Sequence, residues 1–273
     1  MPTAETYVTY HRQTYPFIDP TQPRLSCAGK NVLVTGGGYG IGKGIARSFA
    51  KAKSTNLFLV GRTGSILEQT KATLEAEFPG VRVHVLPADI TNEVAVNDLF
   101  AKATADFGPI DVLVNNAAFL PAVSGLKDAT LTDWWRDQVR GRNGVVININ
   151  TSVAHYGVFP TYSSYTASKM AALRMTECFQ AEHPEDVRFV SLQPGGVDTE
   201  MYAKFHMPDD YPMTDIDLPS DTCVWLASGE ADFLAGRFVW TNWDAEELIK
   251  RKETIIKEKE LQSMLKPIEG DLF

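Results

Sequence analysis

Short apolar runs recur along the chain at Asn31–Thr35, Leu57–Val60, Val81–Leu86, Ile110–Val114, Val145–Asn150, Phe189–Leu192 and Phe238–Trp240. Between most of them the apolar residues follow a helical period, as Ile41, Ile45 and Phe49 do at i, i+4 and i+8. Strands alternating with amphipathic helices predict an α/β fold, a single doubly wound parallel sheet with helices on both faces. The pattern spans residues 30–243, which form one core domain, with a polar, Pro-containing arm before it at 1–29. The tail, 244–273, begins "DAEELIKRKETIIKEKELQSML" and carries Glu246/Lys250 and Glu247/Arg251 pairs beside apolar Leu248, Ile255 and Leu261–Leu265. This spacing predicts a solvated helix with one apolar stripe, either a surface appendage or a partner-binding helix.

One interval breaks the rhythm. In "TDWWRDQVRGRNGVVININTS", residues 132–152, a helical pattern runs almost directly into a strand. Asn116 to Val145 still exceeds the dozen or so residues that a parallel crossover needs. Leu131, Trp135 and Val139 predict a stubby helix near 130–140, only about 16 Å long. The helix before the strand leading to Ser152 is therefore shortened or missing.

Composition narrows the partners. The chain has 273 residues, 44% hydrophobic and 22% charged, enough for a well-filled α/β core. A formal net charge of -8 argues against nucleic acid, whose binding needs clustered Lys and Arg, and favours a small-molecule ligand. Met1–Pro20 does not read as a secretory signal, and no apolar run approaches membrane-spanning length. Cys27, Cys178 and Cys223 are odd in number and scattered, so a cytoplasmic protein with reduced thiols and no metal knuckle is expected.

"NVLVTGGGYGIGKGIARSF" places a strand, a glycine turn and a helix in succession. Gly36, Gly40 and Gly42 have the spacing in which one glycine permits the turn, one lets backbone approach a pyrophosphate and one lets helix and strand pack closely. A helix opening near Ile41 would present free N–H groups and a positive dipole end to phosphates. About twenty residues on, where an NAD-preferring Rossmann-type fold offers Asp or Glu to the ribose, "LVGRT" offers Gly61 and Arg62. Space plus a planar cation suits a 2′-phosphate, favouring NADP over NAD.

"TSVAHYGVFPTYSSYTASKMAALRM" supplies Ser152, then Tyr165 thirteen positions later, then Lys169 four beyond that. One helical turn separates Tyr165 from Lys169, so the ammonium can lie near the phenol and favour the phenolate, a useful general acid/base. Ser152 could hold a substrate oxygen against Tyr165. Tyr162 lacks a lysine four residues on and is the weaker candidate; His155 has no ligand partners at metal-binding spacing and is expected to pack at the pocket mouth. The absence of a G-x-S-x-G elbow argues against a serine hydrolase.

These motifs in this order resemble the short-chain dehydrogenase/reductase family, in its Tyr-x-x-x-Lys subgroup, over Lys30 to Trp243. The resemblance implies that Asp89 in "ADIT" touches the adenine and that Asn116 in "NNAA" belongs to the cofactor site, although the family usually has Gly at Ala118. It implies further that Pro194 and Gly195 in "PGGVDT" line the cofactor, that Lys169 binds the cofactor besides its catalytic role, and that Thr199 holds the nicotinamide carboxamide. The ends "YHRQTYPFIDPT" and "GRFVWTNWD" resemble a set of fungal members. The implied activity is hydride transfer between NADP(H) and a carbonyl or secondary alcohol of a small lipophilic substrate. Specificity would lie in Phe119–Lys127 and Met201–Ile216.

The family continues after "DWW" into a long helix that carries Asn-x-x-Gly and commonly forms a dimer interface. Here about two dozen residues of that pattern are absent, and the short Trp135–Gly144 connection curtails the surface for a homo-oligomer. Residues omitted from the chain would explain this, and a Cα step well beyond about 3.8 Å within 136–143 would mark the omission. A native deletion is the other explanation; with Ala118 it supports the rival reading, a catalytically impaired NADP(H)-binding scaffold or sensor. Losing several buried apolar side chains, at about 1.5 to 3 kcal/mol each against a total stability of about 5 to 15 kcal/mol, favours omission.

Overall fold

In a computed structural model, which describes residues 7–118, 144–156, 162–205 and 210–263, the seven expected apolar runs form seven strands. These are β1 (Asn31–Thr35), β2 (Asn56–Gly61), β3 (Arg82–Pro87), β4 (Val112–Asn115), β5 (Gly144–Ile149), β6 (Val187–Gln193) and β7 (Arg237–Trp240). All pair in parallel, in the order β3-β2-β1-β4-β5-β6-β7. The order reverses between β1 and β4, the switch point at which doubly wound sheets leave a crevice beyond the strands' carboxyl ends. The expected stubby helix near 130–140, the Cα spacing within 136–143 and the Phe119–Lys127 segment lie outside the described residues.

The helices among the described residues are α1 (Gly40–Lys51), α2 (Gly64–Glu77), α3 (Glu93–Phe107), α4 (Ser163–Glu182), α5 (Asp217–Leu226), α6 (Ala245–Lys250) and α7 (Lys252–Lys257). Period-two alternation in the strands divides the core between two faces. Val32 and Val34 of β1, with Val112, Val114, Ile147 and Leu192, pack against Ile45 and Phe49 of α1, Leu67 and Leu74 of α2 and Leu218 of α5. Leu33, Phe58, Leu113 and Val146 face the other way, onto Leu99 and Ala103 of α3. The polar residues Asn115, Asn148 and Ser191 share that second face. Asn115 donates to Asn148 (2.9 Å), Asn148 to Thr176 of α4 (2.9 Å), and Thr176 meets Ser191 (3.1 Å).

The two ends of the chain depart from expectation. The tail forms two short helices, α6 and α7, broken at Arg251, and Leu248 and Ile255 are buried in the main core. Asp244 caps α6 by accepting from the Glu247 N–H at 2.8 Å. The arm covers what the sequence reading left in solvent: Tyr10 bridges antiparallel to Trp243, the His11 and Asn242 backbones join at 2.6 Å, and His11 pairs with Asp244 at 2.8 Å. Further along, Thr9 bonds Glu247, Tyr7 bonds Glu260, and the Arg251 guanidinium lies 4.4 Å from the Tyr7 ring centroid. Thr14 reaches Asp221 of α5 at 2.6 Å, whose second oxygen accepts from Ser48 of α1 at 2.7 Å. No helix among the described residues is long and apolar enough to cross a membrane.

Tyr15 seals this junction, its hydroxyl accepting the Ala245 N–H at 2.7 Å. Tyr15→Phe leaves that donor with no acceptor in a half-buried setting. Chemical denaturation is expected to show a loss of about 1 to 3 kcal/mol; an unchanged midpoint would mean that the arm does not stabilise the tail.

Candidate active site

At the carboxyl end of β1 the chain turns through Gly36 (φ 69°) and Gly40 (φ 54°), left-handed conformations that side chains disfavour. Gly42 lies in the first turn of α1, where a Cβ would fall 2.2 Å from the Gly36 carbonyl oxygen and 2.5 Å from Asn116 Nδ2. Asn116, beyond β4, donates through Nδ2 to the Thr35 carbonyl at 2.9 Å, while Thr35 Oγ1 accepts from the N–H groups of Asn116 and Ala117, both at 3.0 Å. The switch point is thus pinned shut beneath the glycines. No side chain caps α1, whose first turn carries no acidic residue, so its N–H groups stay open to an anion. Ile41 is partly buried against the main core.

Of the predicted positions after β6, Thr199 meets this turn. Thr199 Cγ2 lies 3.5 Å from where a Cβ on Gly40 would be, so the loop after β6 closes over the glycines. Gly195 in that loop has φ 80°, and Thr214 stands where its Cβ would be. Thr214 also donates from its backbone to Gly196 at 2.7 Å and accepts from Asn242 at 3.2 Å, tying the loop to the arm's anchor. An open cleft of about 700 Å3 between Tyr10–Tyr15 and Met213–Asp215 borders the loop; Tyr165 and Lys169 do not line it. Arg62 is exposed after β2, near enough to Asp89 after β3 to help hold its carboxyl below the ordinary range, though the Thr91 N–H and hydroxyl contribute more.

The remaining set gathers where β5 ends and α4 begins. Tyr165 and Lys169 are both in α4, with Lys169 Nζ 6.0 Å from the Tyr165 ring centroid. The electrostatics oppose the simple expectation. Burial raises the Tyr165 phenol, a hydrogen bond with Thr151 offsets this in part, and Lys169 is not among the causes. Burial alone lowers Lys169 to about 8. The physical reason lies in the direction of the ammonium, which donates to the Ile149 carbonyl at 2.8 Å.

Ser152 opens a single 3-10 turn after β5, and its hydroxyl accepts from Gln193 of β6 at 3.3 Å. His155 packs edge-on against Phe238, centroids 4.4 Å apart, and desolvation lowers its pKa; it lies on the rim of a small core cluster that includes Phe238, with its own surface still exposed. Tyr162 stacks on Phe205 at 5.1 Å, and the same Phe205 meets the edge of Tyr165 at 5.6 Å. Thr151 and Gln193 escaped sequence reasoning, because each acquires its role through a contact made by tertiary packing; Phe205 falls within Met201–Ile216, a segment expected to carry specificity. Among the described residues no His, Cys, Asp or Glu cluster could hold a metal, and all three cysteines are free.

A short chain dehydrogenase family model matches residues 30–140 and 135–209. The chain belongs to the short chain dehydrogenase family. The two matched stretches overlap at 135–140, in the short connection before β5. Its relatives include the short chain dehydrogenase/reductase nsrO of Aspergillus novofumigatus, 34% identical over 92% of each chain, and the short chain dehydrogenase mpl6 of Monascus purpureus, 31% identical over 93% of this chain and 94% of that one. Its fold resembles a Burkholderia cenocepacia short chain dehydrogenase in complex with NADP, with TM-score 0.67, 24% identity and coverage of 81% of this chain and 99% of that one. It also resembles L-sorbose reductase of Gluconobacter frateurii complexed with NADPH and L-sorbose, with TM-score 0.67, 20% identity and coverage of 80% and 96%. The chain is therefore a fungal-type member of an oxidoreductase family.

The close approach at Gly42 makes a direct prediction. Gly42→Ala must displace backbone and not merely a flexible side chain, so unfolding should show a loss of about 3 kcal/mol, the upper range for overpacking. A variant as stable as the parent would contradict the packing described for the turn.

Proposed function

We propose that this dehydrogenase transfers a hydride between NADP(H) and the carbonyl or secondary alcohol of a small lipophilic substrate. The observation that carries the proposal is the shared carboxyl edge of the sheet, where Gly36, Asn116, Ser152 and Gly195 follow β1, β4, β5 and β6, with Tyr165 and Lys169 beside them on α4. The cradle fits a dinucleotide: only glycine fits at position 42, the α1 N-terminus is uncapped, and Thr199 crosses the turn. Gly36, Gly40, Ile41 and Gly42 would hold the pyrophosphate, Asp89 the adenine, Arg62 the 2′-phosphate, Asn116 the nucleotide-side floor, and Pro194, Gly195 and Thr199 the nicotinamide. That two similar folds carry NADP or NADPH supports NADP over NAD.

When bound, the nicotinamide supplies or accepts the hydride. In the reductive direction Ser152 donates a hydrogen bond to the carbonyl oxygen, and Tyr165 gives that oxygen its phenolic proton. The raised Tyr165 pKa keeps this proton in place at neutral pH. Lys169, charged below about 8, favours the phenolate left behind. Phe205, against the edge of Tyr165, shields the proton from water and gives the site an apolar wall.

Turnover is tested by NADPH oxidation with a ketone and aldehyde panel. Tyr165→Phe should abolish it while leaving NADPH fluorescence binding unchanged; surviving turnover would refute Tyr165 as proton donor. Tight NADPH binding without turnover on any compound would instead favour the non-catalytic sensor. Arg62→Asp should weaken NADPH binding at least tenfold more than NADH binding, and equal losses would remove the basis for NADP.

The pH dependence has a definite sign. Lys169 loses its charge through about pH 8 while Tyr165 remains protonated beyond it, so carbonyl reduction should hold through neutrality and decline above about pH 8. A rate that stays flat up to about pH 10, the ordinary tyrosine range, would show that the Lys169 charge plays no part.

A further inference from the structure

Strand β5 and the residue after it place two asparagines on one sheet face, Asn148 and Asn150, which are 4% and 3% exposed. Their contacts differ. Asn148 accepts from Asn115 and donates to Thr176, a strut between neighbouring strands and the middle of α4. Asn150 reaches the catalytic turn: its Nδ2 donates to the Lys169 backbone carbonyl at 3.2 Å, and its Oδ1 accepts from the Thr151 N–H at 2.8 Å. A carbonyl can only accept and an N–H can only donate, so these partners dictate which way the amide points.

The flanking residues complete a grip on the same groups. Ile149 receives the Lys169 ammonium through its carbonyl at 2.8 Å, and the Thr151 side chain lies near enough to the Tyr165 hydroxyl to lower its pKa against the effect of burial. Three consecutive residues, 149–151, therefore hold the Lys169 backbone, the Lys169 ammonium and the Tyr165 phenol. In the middle of them the Asn150 amide joins the helix turn to the strand end.

We infer that Asn150 is a positioning residue: by locking the Lys169 turn of α4 onto Thr151, it sets the distance between the Lys169 ammonium and the Tyr165 hydroxyl. The inference rests on the assignment of Tyr165 and Lys169 as the catalytic pair. No charged group contributes to the Lys169 shift, and only burial and Thr151 act on Tyr165, so how far the strand end and the α4 turn shield each group from water governs its proton affinity. Loosening the turn would admit water to Lys169 and return its pKa toward the ordinary lysine value.

Stability by itself cannot separate a positioning role from a structural one, because any buried asparagine leaves unpaired groups when replaced. Asn148 supplies the control, being equally buried and hydrogen-bonded yet bonded through its side chain to Asn115 and Thr176 instead of Lys169 and Thr151. Asn150→Leu and Asn150→Ser should lower kcat about tenfold to a hundredfold, the scale of a misplacement of roughly 1 Å. They should also leave NADPH binding within about threefold and move the alkaline limb of the pH–rate profile upward. Asn148→Leu and Asn148→Ser should lower Tm comparably while keeping kcat per folded molecule and the parent pH profile. Equal kinetic effects at the two positions, or an unmoved limb in the Asn150 variants, would overturn the inference. If the Leu variants do not fold, the Ser pair, which leaves room for water, carries the comparison. If the parent turns over no ketone, the proposed function fails on its own account, and the inference is read from the Lys169 side-chain titration by NMR. That titration should shift in Asn150→Ser and stay in place in Asn148→Ser; a common shift, or none, would refute it.

Discussion

The close approach between Gly42 and the Gly36 carbonyl, 2.2 Å from where any Cβ would stand, is the constraint on which the rest of the site depends. It allows the start of α1 to sit directly over the end of β1, which brings Asn116 from β4 under the turn and lets Thr35 hold the chain beyond β4 through two N–H groups. The β1 and β4 ends meet at the switch point because these backbones approach more closely than side chains permit. Thr199 can then cross the turn, so the candidate cofactor residues that follow β1, β4 and β6 converge.

The same helix transmits order outward. Ser48 of α1 and Thr14 of the arm share the two oxygens of buried Asp221, whose pKa burial raises and these two hydroxyls partly restore. From there the arm runs along Asn242–Asp244 and meets α6, while Asn242 reaches Thr214 behind the loop after β6. The arm and tail, far apart in sequence, act as one clamp behind the candidate nicotinamide loop. Such contacts join parts of the core that the sheet's own hydrogen bonds do not connect.

At the catalytic end, geometry separates what spacing had joined. A lysine one turn from a tyrosine suggests a direct charge effect, but the Lys169 ammonium is committed to the Ile149 carbonyl and both groups are governed by burial. Burial destabilises lysine as a cation and tyrosine as an anion, so the phenol keeps its proton while the ammonium gives its own up more readily. The strand end, through Ile149, Asn150 and Thr151, mediates between them.

The sequence by itself determined the seven strands and the ordered motifs. Strands buried on both faces must be continuously apolar, and a turn with left-handed backbone must use glycine, so Asn31–Thr35 and Gly36–Gly42 are legible without coordinates. Strand ends moved by only one or two residues, and the short connection before β5 was already visible as a broken rhythm and is where the family match divides. Only the tertiary structure decided that Leu248 and Ile255 are core residues, that His155 packs on Phe238, and that Thr151 meets Tyr165. The polar Asn148 and Asn150 in "VVININ" were a visible signal, yet their different partners were not. Periodicity reports which face a residue occupies; the partner waiting there comes from chain as far as 253 residues away, and no local rule encodes it.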